Sequence, residues 1–278
     1  MFEIGKTQIP AVGFGTFPLK SSQAQNAVEM AFDVGYRHID TAQMYGNEKD
    51  VGEAIRFSGL SREDFIITTK IDPLNVVPER FLASVERSLK DLRLFYVDYL
   101  LLHWPINSKS QIQPLELLME AKRRGYAKHI GVSNFTCSQL KEAESEFPGL
   151  ISINQIEFHP LLDQRLLQNA CSDLGISLGG YCALARGAFM NNEVLDSIAH
   201  SYGKSVPQVA LRWIIQQGVA AVAMSTKESN ARANLDIFDF ELSENEMNTI
   251  GLLRKANKRV VSPRELSPVW DAPIVKIE

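Results

Sequence analysis

The 278-residue chain is 45% hydrophobic and 22% charged, ordinary values for a globular protein, which exclude a disordered chain and leave ample apolar surface for one large core. Its 29 lysines and arginines are slightly outnumbered by 33 aspartates and glutamates, for a net charge of −4; with no basic run longer than Lys122-Arg123-Arg124 and no apolar stretch of about 18 residues, neither a nucleic-acid partner nor a membrane span is expected. Three widely spaced cysteines, Cys137, Cys171 and Cys182, make neither a disulfide framework nor a CxxC pair, and no secretory signal opens the chain, so a cytoplasmic protein with reduced thiols is expected.

Taken in chain order, eight short β-branched or apolar runs fall at 12–16, 36–40, 65–70, 96–102, 127–133, 152–157, 177–182 and 219–223. Helix-like stretches separate them. Leu82, Val85, Leu89 and Leu92 repeat at helical spacing, as do Leu115, Leu118, Met119 and the stem of Lys122. Thr136 with Gln139, Ser205 with Gln208, and Ser243 with Glu246 have capping-box spacing, and Pro207 suits a first turn. Gly35, Gly125 and Gly175 stand where helices should stop. At roughly 150 residues per domain the length allows two domains, but one α/β barrel runs to about 250 residues. Strand–helix alternation implies a parallel sheet, and eight units imply a closed barrel. A doubly wound sheet would carry GxGxxG after its first strand; here Gly13-Phe14-Gly15 runs into Thr16, Phe17 and Pro18. The expectation is an α/β protein, a single (β/α)8 TIM barrel over residues 1–278, with an extra C-terminal helix and a tail at 260–270 folded over the barrel mouth.

Chemistry in such a barrel sits at the C-terminal ends of the strands. There the second run ends on Asp40, the third on Lys70, and the fourth is followed by His103. Any one of these has a bland explanation as a cap or loop start, but a carboxylate, an ammonium and an imidazole on three consecutive strands converge on one mouth. Buried charges need partners, and Asp40 and Lys70 can neutralise each other. Tyr45 lies five residues past Asp40, in the loop over the mouth. A free tyrosine is a poor acid at neutral pH; a neighbouring ammonium such as Lys70 is expected to lower its pKa toward the range useful for general acid catalysis.

Several stretches together resemble the aldo-keto reductase family. They are Gly35-Tyr36-Arg37-His38-Ile39-Asp40-Thr41-Ala42, Tyr45-Gly46-Asn47-Glu48, Thr68-Thr69-Lys70, Leu102-His103-Trp104-Pro105, Ile130-Gly131-Val132-Ser133-Asn134-Phe135 and Asn154-Gln155-Ile156-Glu157-Phe158-His159-Pro160, followed by Gly187 and the run 234–240. Their order spans nearly the whole chain, and the look is that of bacterial 2,5-diketo-D-gluconate reductase-type enzymes. The resemblance implies reduction of an aldehyde or ketone by hydride transfer from a nicotinamide cofactor. It implies a tetrad of Asp40, Tyr45, Lys70 and His103, with Tyr45 as general acid. For the cofactor it implies Gly15, Thr16 and Asp40 at the ribose side, Ser133, Asn134 and Gln155 at the carboxamide, and Tyr181 stacked on the ring. Leu184, Arg186 and Gly187 would pass the pyrophosphate; Ser225, Thr226, Lys227, Asn230 and Asn234 would meet the adenosine end. By location alone Tyr181 reads rather as a strand-end core aromatic. For the substrate the resemblance implies Phe17, Tyr45, His103 and Trp104.

Two departures matter. Relatives that prefer NADP(H) carry a lysine and an arginine where this chain has Met224 and Asn230. Both losses remove cations that would pair a 2′-phosphate; NADP(H) follows from the resemblance, with NAD(H) or dual use open. A tryptophan two residues after the lysine is replaced by Asp72, which is expected to bring a carboxylate to the pocket.

Rival readings are a metal-dependent hydrolase of the barrel class, using His38, Asp40, His103 and His159, and a non-catalytic, redox-sensing family member. The first lacks a His-x-His on its first strand; His38 is expected to point away from Asp40, and His159 to be structural. No metal is expected, the partner is a small carbonyl compound, and the protein is expected to be a monomer.

Overall fold

The computed structural model describes residues 3–4, 9–106 and 110–273. A hairpin, β1 (Glu3–Ile4) and β2 (Ile9–Pro10), precedes eight parallel strands. These are β3 (Val12–Gly15), β4 (His38–Asp40), β5 (Ile66–Ile71), β6 (Val97–Leu102), β7 (Ala127–Ser133), β8 (Ile153–Glu157), β9 (Ser177–Tyr181) and β10 (Val219–Ala223). They follow one another around a closed barrel, β10 pairing with β3. All eight predicted runs are strands. The second starts two residues later than expected because Tyr36 is buried outside the sheet, its hydroxyl donating to the Ala231 carbonyl oxygen (3.1 Å).

Helices α1 (Ser21–Val34), α2 (Glu48–Phe57), α3 (Pro78–Leu92), α4 (Ile112–Arg123), α5 (Cys137–Glu146) and α6 (Arg165–Leu174) fill successive crossovers. α7 (Glu193–Tyr202) and α8 (Val206–Gln216) share the next. α9 (Glu228–Leu235) and α10 (Glu244–Gly251) follow β10; the sequence reading foresaw α10 and not α9. All three capping boxes form, and Gly35 and Gly175 close α1 and α6 in left-handed conformation. On α3 the buried stripe is Phe81, Val85, Leu89 and Leu92, with Leu82 at its edge. Each such side chain stabilises the helix–barrel interface by about 1.5–3 kcal/mol. Met119 does not join the stripe on α4: with Leu115, Leu118 and Ala121 inward, its position falls on the solvent side and it is 39% exposed.

Strand residues alternate between the helix layer and the barrel interior. A separate interior cluster joins Tyr99, Leu101, Ile153 and Ala220, and Ile9 of the hairpin packs into it. His38 also turns inward, contrary to expectation. Two residues before Asp40, it shares that residue's strand face; its Nε2 lies 2.9 Å from Thr68 Oγ1, in space that a side chain at Gly13 would fill. Burial lowers its pKa to about 4, so the ring is neutral.

Candidate active site

The C-terminal ends of β4, β5 and β6 bring Asp40, Lys70 and His103 together, and the 3-10 turn Gln43–Tyr45 hangs Tyr45 beside them. Lys70 is 1% exposed. Its Nζ donates to Asp40 Oδ1 (2.5 Å) and to the Thr41 carbonyl oxygen (3.1 Å). Gln155 Nε2 donates to the other carboxylate oxygen of Asp40 (2.7 Å). The carboxylate is thus held from β5 and from β8. Such a pair must stay complete, because removing one partner of a buried ion pair costs about 3–5 kcal/mol.

The Tyr45 ring lies 5.4 Å from Lys70 Nζ, 5.2 Å from the Phe17 ring and 5.5 Å from the His103 ring, which it meets nearly edge-on. The expected downward pull of Lys70 on this phenol is outweighed. Burial, with the Asp40 charge, holds it well above the ordinary tyrosine value. Burial and the nearby Lys70 charge push His103 well below the ordinary imidazole range, so the ring is neutral.

A cavity of about 590 Å³ opens at this mouth, within the usual range for small-ligand sites. Gly15, Thr16, Asp40, Tyr45, Tyr181, Leu184 and Arg186 line it, as does Phe17, which is half exposed. Ser133, Asn134 and Gln155 lie behind that lining in one network. Ser133 Oγ donates to the Gln155 carbonyl oxygen (2.7 Å), Asn134 Nδ2 to the His103 carbonyl oxygen (3.0 Å), and the Tyr181 hydroxyl to Asn134 Oδ1 (2.7 Å). Trp104 is buried behind His103, rings 6.3 Å apart, rather than in the lining. Gly187 stands just past the lining, at the end of a turn in which Ala185, Arg186 and Gly187 all have positive φ. Left-handed backbone at non-glycine residues is strained and tends to collect at functional sites.

Beyond β10 the candidates scatter. Ser225 Oγ takes part in a local turn with Lys227; Thr226, Lys227 and Asn230 are exposed around the start of α9, and Asn234 is buried against Tyr36. Asp72 does not reach the cavity. Its carboxylate accepts the Leu74 N–H (2.9 Å) and caps the 3-10 turn Pro73–Asn75, the ordinary role of an aspartate before a proline-led turn.

The sequence reading missed Pro18, Cys182, Ala183, Val222 and Ala223 in the lining. Alternation along β10 places Val222 on the inner face with Ala220 and was the signal available. The tail crosses the mouth as expected, Val261 contributing to the wall.

Two buried polar atoms at this mouth, Thr16 Oγ1 and His103 Nδ1, have no hydrogen-bond partner among the described residues. Unmet buried groups are costly and call for a ligand or water. With an open backbone at Gly15, where a side chain would press on Val222, the lining suits a flat, hydrogen-bonding ring such as a nicotinamide nucleotide. Among the described residues no three His, Cys, Asp or Glu side chains gather to hold a metal ion, and no helix is long and apolar enough to cross a membrane.

The profile of the Aldo/keto reductase family matches residues 11–254. A glyoxal reductase of Bacillus subtilis is 40% identical over 260 residues, 93% of this chain and 94% of its own. The methylglyoxal reductase DkgB of Escherichia coli O157:H7 is 38% identical over 266 residues, 95% and 99% of the two chains. A crystal structure provisionally named a 2,5-diketo-D-gluconic acid reductase B superposes with a TM-score of 0.94 at 40% identity, covering 98% of both chains. The chain belongs to the aldo/keto reductase family: it is a TIM-barrel oxidoreductase that reduces carbonyl compounds with a nicotinamide cofactor.

Proposed function

We propose that the cavity at the barrel mouth is the reaction site and that Asp40, Tyr45, Lys70 and His103 carry the chemistry. The observation that supports this is their convergence: Asp40 and Tyr45 line the cavity together with Thr16, while Lys70, bonded to Asp40, and His103, its ring 5.5 Å from that of Tyr45, stand just behind them. A bound reduced nicotinamide supplies the hydride to the carbonyl carbon. The chain's own residues manage the oxygen. Tyr45, kept protonated by burial, donates its hydroxyl proton to that oxygen as charge develops. Neutral His103 offers a ring N–H to the same oxygen, lowering the barrier as an oxyanion donor does. Lys70 faces the phenolate left on Tyr45, and Asp40, steadied by Gln155, keeps the ammonium in place.

Gly15, Thr16, Tyr181, Leu184, Arg186 and Gly187 would hold the cofactor, with Ser133, Asn134 and Gln155 at its amide end. At the adenosine end, Arg232 is paired with Glu228 (2.7 Å), which leaves exposed Lys227, with Ser225, Thr226 and Asn230, to meet a 2′-phosphate. We therefore read the enzyme as accepting both NADPH and NADH. The names of the relatives point to small dicarbonyls such as methylglyoxal as substrates. Loss of reduced-cofactor absorbance with methylglyoxal, measured with NADPH and with NADH, tests the reading; no turnover of any aldehyde with either cofactor would refute it.

A further inference from the structure

Glu157 ends β8 and is fully buried, yet the chemistry above makes no use of its carboxylate. Its two oxygens accept the backbone N–H groups of Val260 (2.6 Å) and Val261 (2.9 Å), which lie 103 and 104 residues further along the chain. His159 Nε2 is 2.8 Å from one oxygen, and the Arg259 guanidinium approaches the other at 4.0 Å. Hydrogen bonds to an ionised acceptor are among the stronger polar contacts.

The segment held this way is the strap across the mouth. The Lys258 N–H donates to the Leu161 carbonyl oxygen (2.8 Å). Arg259 sits over the Trp270 ring at 3.7 Å, and that ring meets Trp104 edge-on at 6.2 Å. Asp271 accepts the Cys137 N–H (3.0 Å). Between these ties Val261 forms part of the cavity wall. On the barrel side, Glu157 is the register partner of Tyr181, which lines the same cavity. One side chain therefore joins a barrel strand, the neighbour of a lining ring, and the strap.

We propose that Glu157 is a positioning residue for carbonyl binding: it seats residues 260–261 across the mouth and so fixes the strap-side wall of the cavity. The inference rests on reading that cavity as the reaction site. Glu157→Gln keeps the shape but turns one acceptor into a donor that opposes a strap N–H. Val260→Pro removes the same bond from the strap's side and leaves the barrel untouched, so it serves if the first variant does not fold. Each should raise KM for the carbonyl about tenfold, the cost of one unmet buried group, with kcat within about twofold. Glu157→Gln should also speed trypsin cleavage at Lys258 and Arg259, and Val260→Pro should speed it at Lys258 alone, because trypsin does not cut before proline; both should change the Trp270 emission, read as the difference from a Trp270→Phe protein. The double variant should be no worse than either single one, because both break one contact.

Folded variants with unchanged KM and unchanged Trp270 emission, or with a kcat loss at constant KM, overturn the proposal. The emission and proteolysis readouts need no substrate, so a failure of the strap inference is distinguishable from an inactive enzyme.

Discussion

The two ends of the mouth are built differently. Asp40 and Lys70 are both buried, and each is held by a partner from another strand. Around Lys227, at the start of α9, the polar groups are exposed and bonded mostly to near neighbours in sequence. The first arrangement suits chemistry, which needs charges fixed in advance. The second suits discrimination between similar ligands, which solvent-screened contacts tune by small steps.

The sharpest attack on this contrast is at the phenol. Tyr45→Phe should lower turnover by about 10²–10⁴-fold, the usual weight of a general acid, while cofactor binding, followed by quenching of reduced-cofactor fluorescence, stays near wild type. Turnover close to wild type would end the assignment. Lys70→Met, which leaves Asp40 without its ammonium, should cost about 3–5 kcal/mol of stability in denaturant unfolding as well as activity.

Glu48 gives a pH-dependent test at the edge of the same region. Its carboxyl is 7% exposed and hydrogen-bonded by Thr69 (2.6 Å) and Ser88 (3.0 Å), but burial raises its pKa from 4.5 to about 7. A raised carboxyl pKa means that the folded protein binds the proton more tightly than the unfolded chain. Its contribution to stability is therefore complete below about pH 4.5 and is lost as the pH rises toward 7, by roughly 3 kcal/mol. Glu48→Gln should flatten that part of the profile of melting temperature against pH; an unchanged slope would contradict it. The smallest effect is expected at the exposed end. Lys227→Ala should raise KM for NADPH by roughly threefold and leave KM for NADH alone, as befits a screened surface cation. Equal shifts for both cofactors would remove Lys227 from phosphate recognition.

What the sequence showed depended on distance along the chain. The eight strands were legible because each is a short run, mostly β-branched or apolar, set between helix-like stretches, and the convergence of Asp40, Lys70 and His103 followed from barrel topology. The capping boxes were legible because both partners lie within four residues. The role of Glu157 was not: its partners on the strap are beyond position 257. Asp72 was misread because a local turn claimed its carboxylate before the cavity could. Lys70 acts less on Tyr45 than expected because burial of the phenol, which no pattern encodes, outweighs it. α9 escaped because only two of its residues are buried, Ala231 and Asn234, too few to make an apolar stripe.

The hairpin residue Ile9, packed into the barrel's interior with Tyr99, Leu101, Ile153 and Ala220, has a consequence for traffic. With the barrel's interior filled by these apolar side chains, the cavity does not continue along the barrel axis, and ligands come and go on the side of the mouth that Val261 borders. Two ligands sharing a single doorway exchange in order of depth: the inner one enters first and leaves last.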